Sequence, residues 1–167
     1  IDMEMSFSGQ GDVLGVVEGM LEHMFRTVMG VDIEMPFPRM PYHEAIEFYG
    51  SDKPDMRYDM RFHNVEEYLS ETEFKVFKSA LEDGDSIRAL VLPGQATASR
   101  KVQGELDEIA KSGGLAGLFF VGRGEDGSLK SSILKHVGED NLNGIIEFVG
   151  AGKDDLVLIS AGPKKEL

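Results

Sequence analysis

Apolar and polar positions alternate at the start of the chain, Ile1, Met3, Met5 and Phe7 against Asp2, Glu4 and Ser6. A period of two predicts a strand over 1–7 with one buried and one wet face. After a "GQGD" turn the period changes. Asp12 suits an N-cap. Val13, Val16, Val17, Met20, Leu21, Met24 and Val28 then keep helical spacing through Met29, with Glu18, Glu22 and Arg26 on the polar side and Gly30 as a stop. Pro36, Pro38 and Pro41 forbid a regular element until Tyr42, where a short helix over 42–49 is predicted, closed by Gly50. "GSDKPD" (50–55) is a loop stiffened by Pro54. Residues 56–72 show no clear period and read as a linker.

From Glu73 the texture is denser. "EFKVFKSALEDG" predicts a helix ending near Gly84, and "SIRALVLPG" a strand bounded by Pro93 and Gly94. Ser99 is a plausible N-cap for "RKVQGELDEIAKSGG", with Val102, Leu106, Ile109 and Ala110 as its inner face. "LAGLFFVGRGEDGSLKSSIL" reads as two strands joined at an Asp126-Gly127 turn. "EDNLNGIIEFVGAG" is a helix with Leu142, Ile145, Ile146 and Val149 inward, and "DDLVLISAG" a last strand. The order β-α-β-β-α-β predicts an α+β fold, with two layers and a largely antiparallel sheet.

Composition narrows the possible functions. Hydrophobic content of 41% in 167 residues allows a real core. The absence of cysteine excludes disulfides and thiolate metal sites. No apolar run reaches the roughly 20 residues of a membrane span, so no membrane association and a cytoplasmic location are expected. The formal net charge of −13 repels phosphate backbones, making the chain on its own a poor nucleic-acid binder.

Gly122, Gly124 and Gly127 spell G-x-G-x-x-G after a strand, but a dinucleotide loop needs a helix to start there. The alternating "SLKSSIL" that follows favours a hairpin. His23, His43, His63 and His136 are scattered without metal-ligand spacing, and no metal site is expected. Candidate chemistry therefore lies in the first 55 residues. Asp2, Glu4 and Ser6 share one face of the predicted strand, where paired acids can hold an ammonium group or a metal-bound nucleotide. Ser51, Asp52 and Lys53 stand in the stiffened loop. Taken alone, a wet strand face and an unliganded polar loop explain both groups better than a binding site does.

The order of these pieces adds weight to the chemical reading. "IDMEMSF", the amphipathic helix, "PFPRM" (36–40) and "YGSDKPD" (49–55) closely resemble the catalytic core of the bacterial aspartyl-tRNA synthetase family, with Ile1–Phe7 similar to the strand that closes class II motif 2. "EFKVF" (73–77), "ALVLPG" (89–94), "SRKVQGELDEIAK" (99–111) and "GLAGLFFV" (114–121) resemble the GAD domain inserted in that family and shared with a tRNA-dependent amidotransferase subunit.

The resemblance implies a partial catalytic core over 1–55, a linker over 56–72, a GAD insert over 73–160 and a return to the core over 161–167. It implies a parent ligase that activates aspartate with ATP and Mg²⁺ and transfers it to tRNA, working in the cytoplasm as a homodimer. Asp2 would bind the aspartate α-ammonium. Glu4, Ser51, Asp52 and Lys53 are weaker candidates, and no complete catalytic set is expected. The chain would be a fragment beginning within motif 2, inactive alone and binding no cofactor itself. The competing reading is a non-catalytic GAD interaction module like that of the amidotransferase subunit.

Overall fold

Leu156–Gly162 is a strand in which every residue but Gly162 is buried, so it must be covered on both faces and both edges. The computed structural model describes residues 2–124 and 126–163 and shows how this is achieved. The chain divides into two compact units, residues 1–41 and 42–167.

The second unit is built on one antiparallel sheet. Its strands are β1 (His63–Asn64), β2 (Ser86–Leu92), β3 (Phe119–Arg123), β4 (Leu129–Ser131) and β5 (Leu156–Gly162). Their spatial order is β1-β2-β5-β3-β4. β5 pairs antiparallel along its length with β2, from Ser86 opposite Gly162 to Leu92 opposite Leu156. On its other side it pairs with β3, Phe119 opposite Ile159. The last strand in sequence is thus the middle strand in space.

Alternation sends Ile87, Ala89, Val121, Val157, Ile159 and Ala161 to one face. Four helices of this unit supply most of the rest of that core: α3 (Glu66–Leu69), α4 (Lys75–Asp83), α6 (Leu134–Val137) and α7 (Glu139–Phe148). Leu69, Phe77, Leu142 and Ile145 are fully buried there. Each such side chain contributes about 1.5–3 kcal/mol on leaving water. Phe74, Phe77 and Phe119 meet edge to face at centroid distances of 5.1–5.2 Å, the geometry the ring quadrupole favours. Buried polar groups are matched. The Ser86 hydroxyl donates to Glu66 Oε1 at 2.7 Å, and that of Ser160 to the Gly117 carbonyl at 2.8 Å.

The α+β reading, the hairpin, the helix ending at Gly84 and the inward face of α7 are as the sequence predicts. Four local readings are corrected. Residues 2–7 form no strand: all six are exposed, and alternation without a ladder partner leaves backbone groups to water. Residues 56–72 contain β1 and α3, and place Val65 and Leu69 at zero exposure in the core. That stretch is too short for a period to emerge. The third correction concerns Arg100–Ser112, α5, capped as expected by Ser99, whose hydroxyl accepts from the Val102 N–H at 3.3 Å. It lies apart from the core, has no buried residue, and leaves Ile109 67% exposed. The fourth concerns Asp12, which sits in the first turn of α1 (Gln10–Met24) rather than at its N-cap, and accepts from the Gly9 N–H at 2.9 Å.

α1 runs on through a wider-wound stretch at Phe25–Met29 to a left-handed Gly30. Its apolar stripe is only partly covered, with Val17, Met20 and Leu21 half-buried. Val13, Val16, Met24 and Val28 are exposed.

Gly144, in the middle of α7, has a packing reason. A Cβ there would lie 2.9 Å from two carbons of the Tyr68 ring, and that ring is itself backed by Phe148 at 5.5 Å. In an open helix, Gly to Ala stabilises by about 1 kcal/mol. Here we expect Gly144→Ala to destabilise by about 1–3 kcal/mol through overpacking. Tyr68→Ala in the same chain should restore the ordinary gain. Urea unfolding of the two single variants and the double variant measures the coupling.

Candidate functional site

The loop that carries Ser51, Asp52 and Lys53 is positioned by a charged clamp. α2 (Tyr42–Tyr49) ends just before it. Glu47 of this helix meets Arg88, which alternation sends to the sheet face opposite the main core. Arg88 Nη1 donates to Glu47 Oε1 at 2.7 Å and to its carbonyl oxygen at 2.8 Å, and Nη2 donates to Oε2 at 3.0 Å. A two-pronged guanidinium–carboxylate contact fixes orientation as well as distance. The Phe62 N–H donates to the Phe48 carbonyl at 2.8 Å, closing the excursion. The Arg61 guanidinium lies over Phe48 and Tyr49, 5.8 and 5.9 Å from the ring centres.

Within the loop, the Ser51 hydroxyl accepts from the Lys53 N–H at 3.1 Å, a local turn contact. Ser51 and Lys53 line a small cleft of about 270 Å³, together with Tyr49, Asp55, Tyr58 and Leu90. Asp52 is exposed and does not line it. The Asp55 carboxylate is already engaged, accepting from Arg57 Nε at 2.8 Å and from the Arg57 N–H at 3.0 Å. These bonds hold its pKa below the ordinary aspartate value. Lys53 is the exposed cation of the cleft.

Asp2 and Glu4 belong to the first unit, Ser51, Asp52 and Lys53 to the second. Asp2 and Glu4 are exposed carboxylates on irregular chain. The first unit also holds a site that sequence reasoning missed. Glu18, assigned by spacing to the polar side of α1, is 8% exposed and is the buried residue among those described in this unit. Its Oε1 accepts from Arg39 Nη1 at 2.6 Å and from the Phe37 N–H at 3.1 Å. A carboxylate is tolerated out of water when it is paired and hydrogen-bonded. The hydrogen bond from Arg39 is the main reason that its pKa is lowered. Glu18 thereby holds the proline-bounded "PFPRM" segment against α1. The signal lay in the sequence as an acid on α1 and an arginine between prolines, but their pairing spans twenty-one positions.

The glycine-rich stretch is a hairpin. Val121 pairs with Ser131 and Arg123 with Leu129. The Asp126 carboxylate accepts from the Ser128 N–H at 3.0 Å and its hydroxyl at 2.6 Å, turning the chain. No helix starts there to receive a pyrophosphate. Among the described residues, no three His, Asp or Glu side chains stand where they could share a metal ion.

An antiparallel five-stranded sheet whose main core face is covered by α3, α4, α6 and α7, with a charged clamp on the other face, defines an α+β domain. The chain belongs to the GAD domain family, whose model matches residues 77–167. It is 45% identical over 161 residues to the aspartate–tRNA ligase of Clostridium botulinum (strain Eklund 17B / Type B), covering 96% of this chain and 27% of that protein. It is 44% identical over 161 residues to the aspartate–tRNA(Asp/Asn) ligase of Caldanaerobacter subterraneus subsp. tengcongensis, with the same coverage of each. The corresponding ligase of Persephonella marina is 39% identical over 161 residues. These alignments extend well beyond the GAD match into the first 76 residues. The chain spans about a quarter, 27%, of the length of these relatives.

The Glu18 clamp has a pH signature. A carboxylate with a lowered folded pKa stabilises at pH above its ordinary value, and that contribution is lost as pH falls through the lowered pKa. Hydrogen exchange of the Phe37 amide should be slow at neutral pH and accelerate below the ordinary carboxylate range, after correction for intrinsic rates. Glu18→Ala should accelerate it on the order of tenfold at neutral pH and flatten that pH dependence.

Proposed function

We propose that this chain is a segment of an aspartate–tRNA ligase, comprising part of the catalytic core and the GAD domain. The observation that carries this reading is the similarity over 161 residues, 96% of the chain, to proteins of that name. A GAD module working alone would leave the match across the first 76 residues without a role. The exposed apolar stripe of α1 supports the reading. Val13, Val16, Met24 and Val28 present a face that the remainder of a larger catalytic domain would cover.

In this reading the whole protein binds aspartate, ATP and tRNA, acts as a homodimer in the cytoplasm, and activates aspartate before transferring it. Residues 1–55 belong to the catalytic core, about 73–160 to the insert, and 161–167 lead back to the core. Asp2 binds the substrate α-ammonium, with Glu4 as a second carboxylate nearby in sequence. A carboxylate serves this role because a charge-assisted hydrogen bond to ammonium is roughly twice as strong as a neutral one. Ser51, Asp52 and Lys53 are weaker candidates for substrate contact, on a loop held by the Arg88–Glu47 clamp. The Glu18–Arg39 pair keeps "PFPRM" in place.

ATP enters as substrate with Mg²⁺, which would draw charge from the phosphates. The donor set here does not fit a metal centre, since no three metal-ligating side chains converge among the described residues, and no step is assigned to the ion on this chain. The groups that grip ATP and the substrate side-chain carboxylate lie elsewhere in the proposed parent. Its catalysis would rest on positioning and charge stabilisation.

Two measurements test this. With aspartate, ATP and Mg²⁺, the isolated chain should show pyrophosphate exchange at background. In a full-length ligase carrying this segment, Asp2→Ala should raise the aspartate KM roughly ten- to a hundredfold and change the ATP KM much less. An unchanged aspartate dependence would reduce Asp2 to a solvated surface acid.

A further inference from the structure

The match to the GAD family begins at residue 77, but the sheet of that domain reaches back past it to β1. Each residue of β2 from Ser86 to Leu90, all inside the match, is joined to the segment that precedes it. The Ser86 hydroxyl donates to Glu66 Oε1 at 2.7 Å. The Ile87 carbonyl accepts from the Val65 N–H at 3.1 Å. Arg88 stands opposite Asn64, and Ala89 opposite His63, in the ladder with β1. Arg88 also grips Glu47 of α2, and Leu90 lines the cleft shared by Ser51 and Lys53. All of these residues lie in the second compact unit.

The order of these contacts along β2 matters. Ile87 and Ala89 belong to the main core. Arg88 and Leu90 therefore share the opposite face, about 7 Å apart. The clamp on α2 and one wall of the loop's cleft thus stand on neighbouring positions of one strand face. β2 itself pairs with the central strand from Ser86 to Leu92, so moving it means moving the sheet. The place of the 50–55 loop is then set by the GAD sheet.

Arg88 is suited to this task. Its guanidinium donates to both the carboxylate and the backbone carbonyl of Glu47, so it fixes the helix as well as the side chain. A lysine ammonium could not reproduce the planar two-pronged contact. The Arg88 side chain is 11% exposed and that of Glu47 49%. Loss of Arg88 leaves a carboxylate that water reaches, so the domain should stay folded without the clamp.

We propose that the GAD domain positions the 50–55 loop for the ligase reaction, and that Arg88 is the positioning residue through which it acts. This rests on the ligase reading above, in which the loop belongs to the catalytic core. The domain is then a support for that core as well as an insert in it.

The test has two arms, both using Arg88→Met, which keeps a long apolar stem and removes every donor. In the isolated 167-residue chain, backbone amide NMR relaxation should give lower order parameters for residues 50–55, with those of 156–161 unchanged. In a full-length ligase carrying this segment, pyrophosphate exchange is measured per active site, counted by the adenylate burst. There kcat/KM for aspartate should fall on the order of tenfold, and Arg88→Lys should recover only part of the loss. A domain that merely lost stability would reduce the number of active sites and leave kcat/KM per site unchanged. Unchanged order parameters in the loop, unchanged kcat/KM per site, or full recovery by lysine would each overturn the proposal while the ligase reading stood. A wild-type full-length protein without aspartate-dependent exchange would overturn that reading, and the proposal with it.

Discussion

β5 takes ladder bonds from β2 on one edge and β3 on the other, and buries side chains on both faces. Everything else in residues 42–167 follows from the need to cover it. The final strand in sequence occupies the middle in space, so the sheet closes only after the whole of that unit is made. Pairings such as Ser86 with Gly162 join residues far apart in the chain, and loop-closure entropy is offset only when those contacts form. The main face is sealed by α3, α4, α6 and α7 around Leu69, Phe77, Leu142 and Ile145. The opposite face is covered in two parts, by α2 with its loop and by the run into α5. Between those covers the sheet remains accessible, and the clefts are there.

The two charged clamps differ in kind. Arg88 and Glu47 join an element to the sheet through a nearly buried guanidinium, its side chain 11% exposed. Glu18 and Arg39 reverse the arrangement, with the carboxylate buried and the guanidinium half in water. In each, removing the outer partner would strand a desolvated charge. Both secure segments that have no regular structure to hold them, the "PFPRM" stretch and the "GSDKPD" loop, which are also the segments that most resemble the ligase catalytic core.

What was legible in the sequence was periodic. The helical spacing of Leu142, Ile145 and Ile146 read directly onto the core, and the apolar runs "SIRALVL" and "LVLISAG" onto its two longest strands. Asp126-Gly127 correctly marked a hairpin over a nucleotide loop. Short elements escaped, because β1 and α3 are two and four residues long and offer no window for a period. Alternation at 2–7 misled because it reports which residues could share a face, whereas a strand exists through its partner. Ile109 misled likewise, since an apolar stripe on α5 does not say which surface receives it. The Glu18–Arg39 pair was beyond local reading altogether.

The sheet's outer borders are unusually brief. β1 pairs only His63 with Ala89 and Asn64 with Arg88, and β4 contributes three residues. A border of two or three residues gives an incoming chain too few free backbone groups to align on. β1 also shields the edge of the much longer β2, a seven-residue strand rich in Ile, Leu and Val. Its modest pairing therefore acts as a cover against templated growth. A chain that frayed at His63 and Asn64 would keep its core and its clefts, yet present a row of open amides on which a second copy could nucleate.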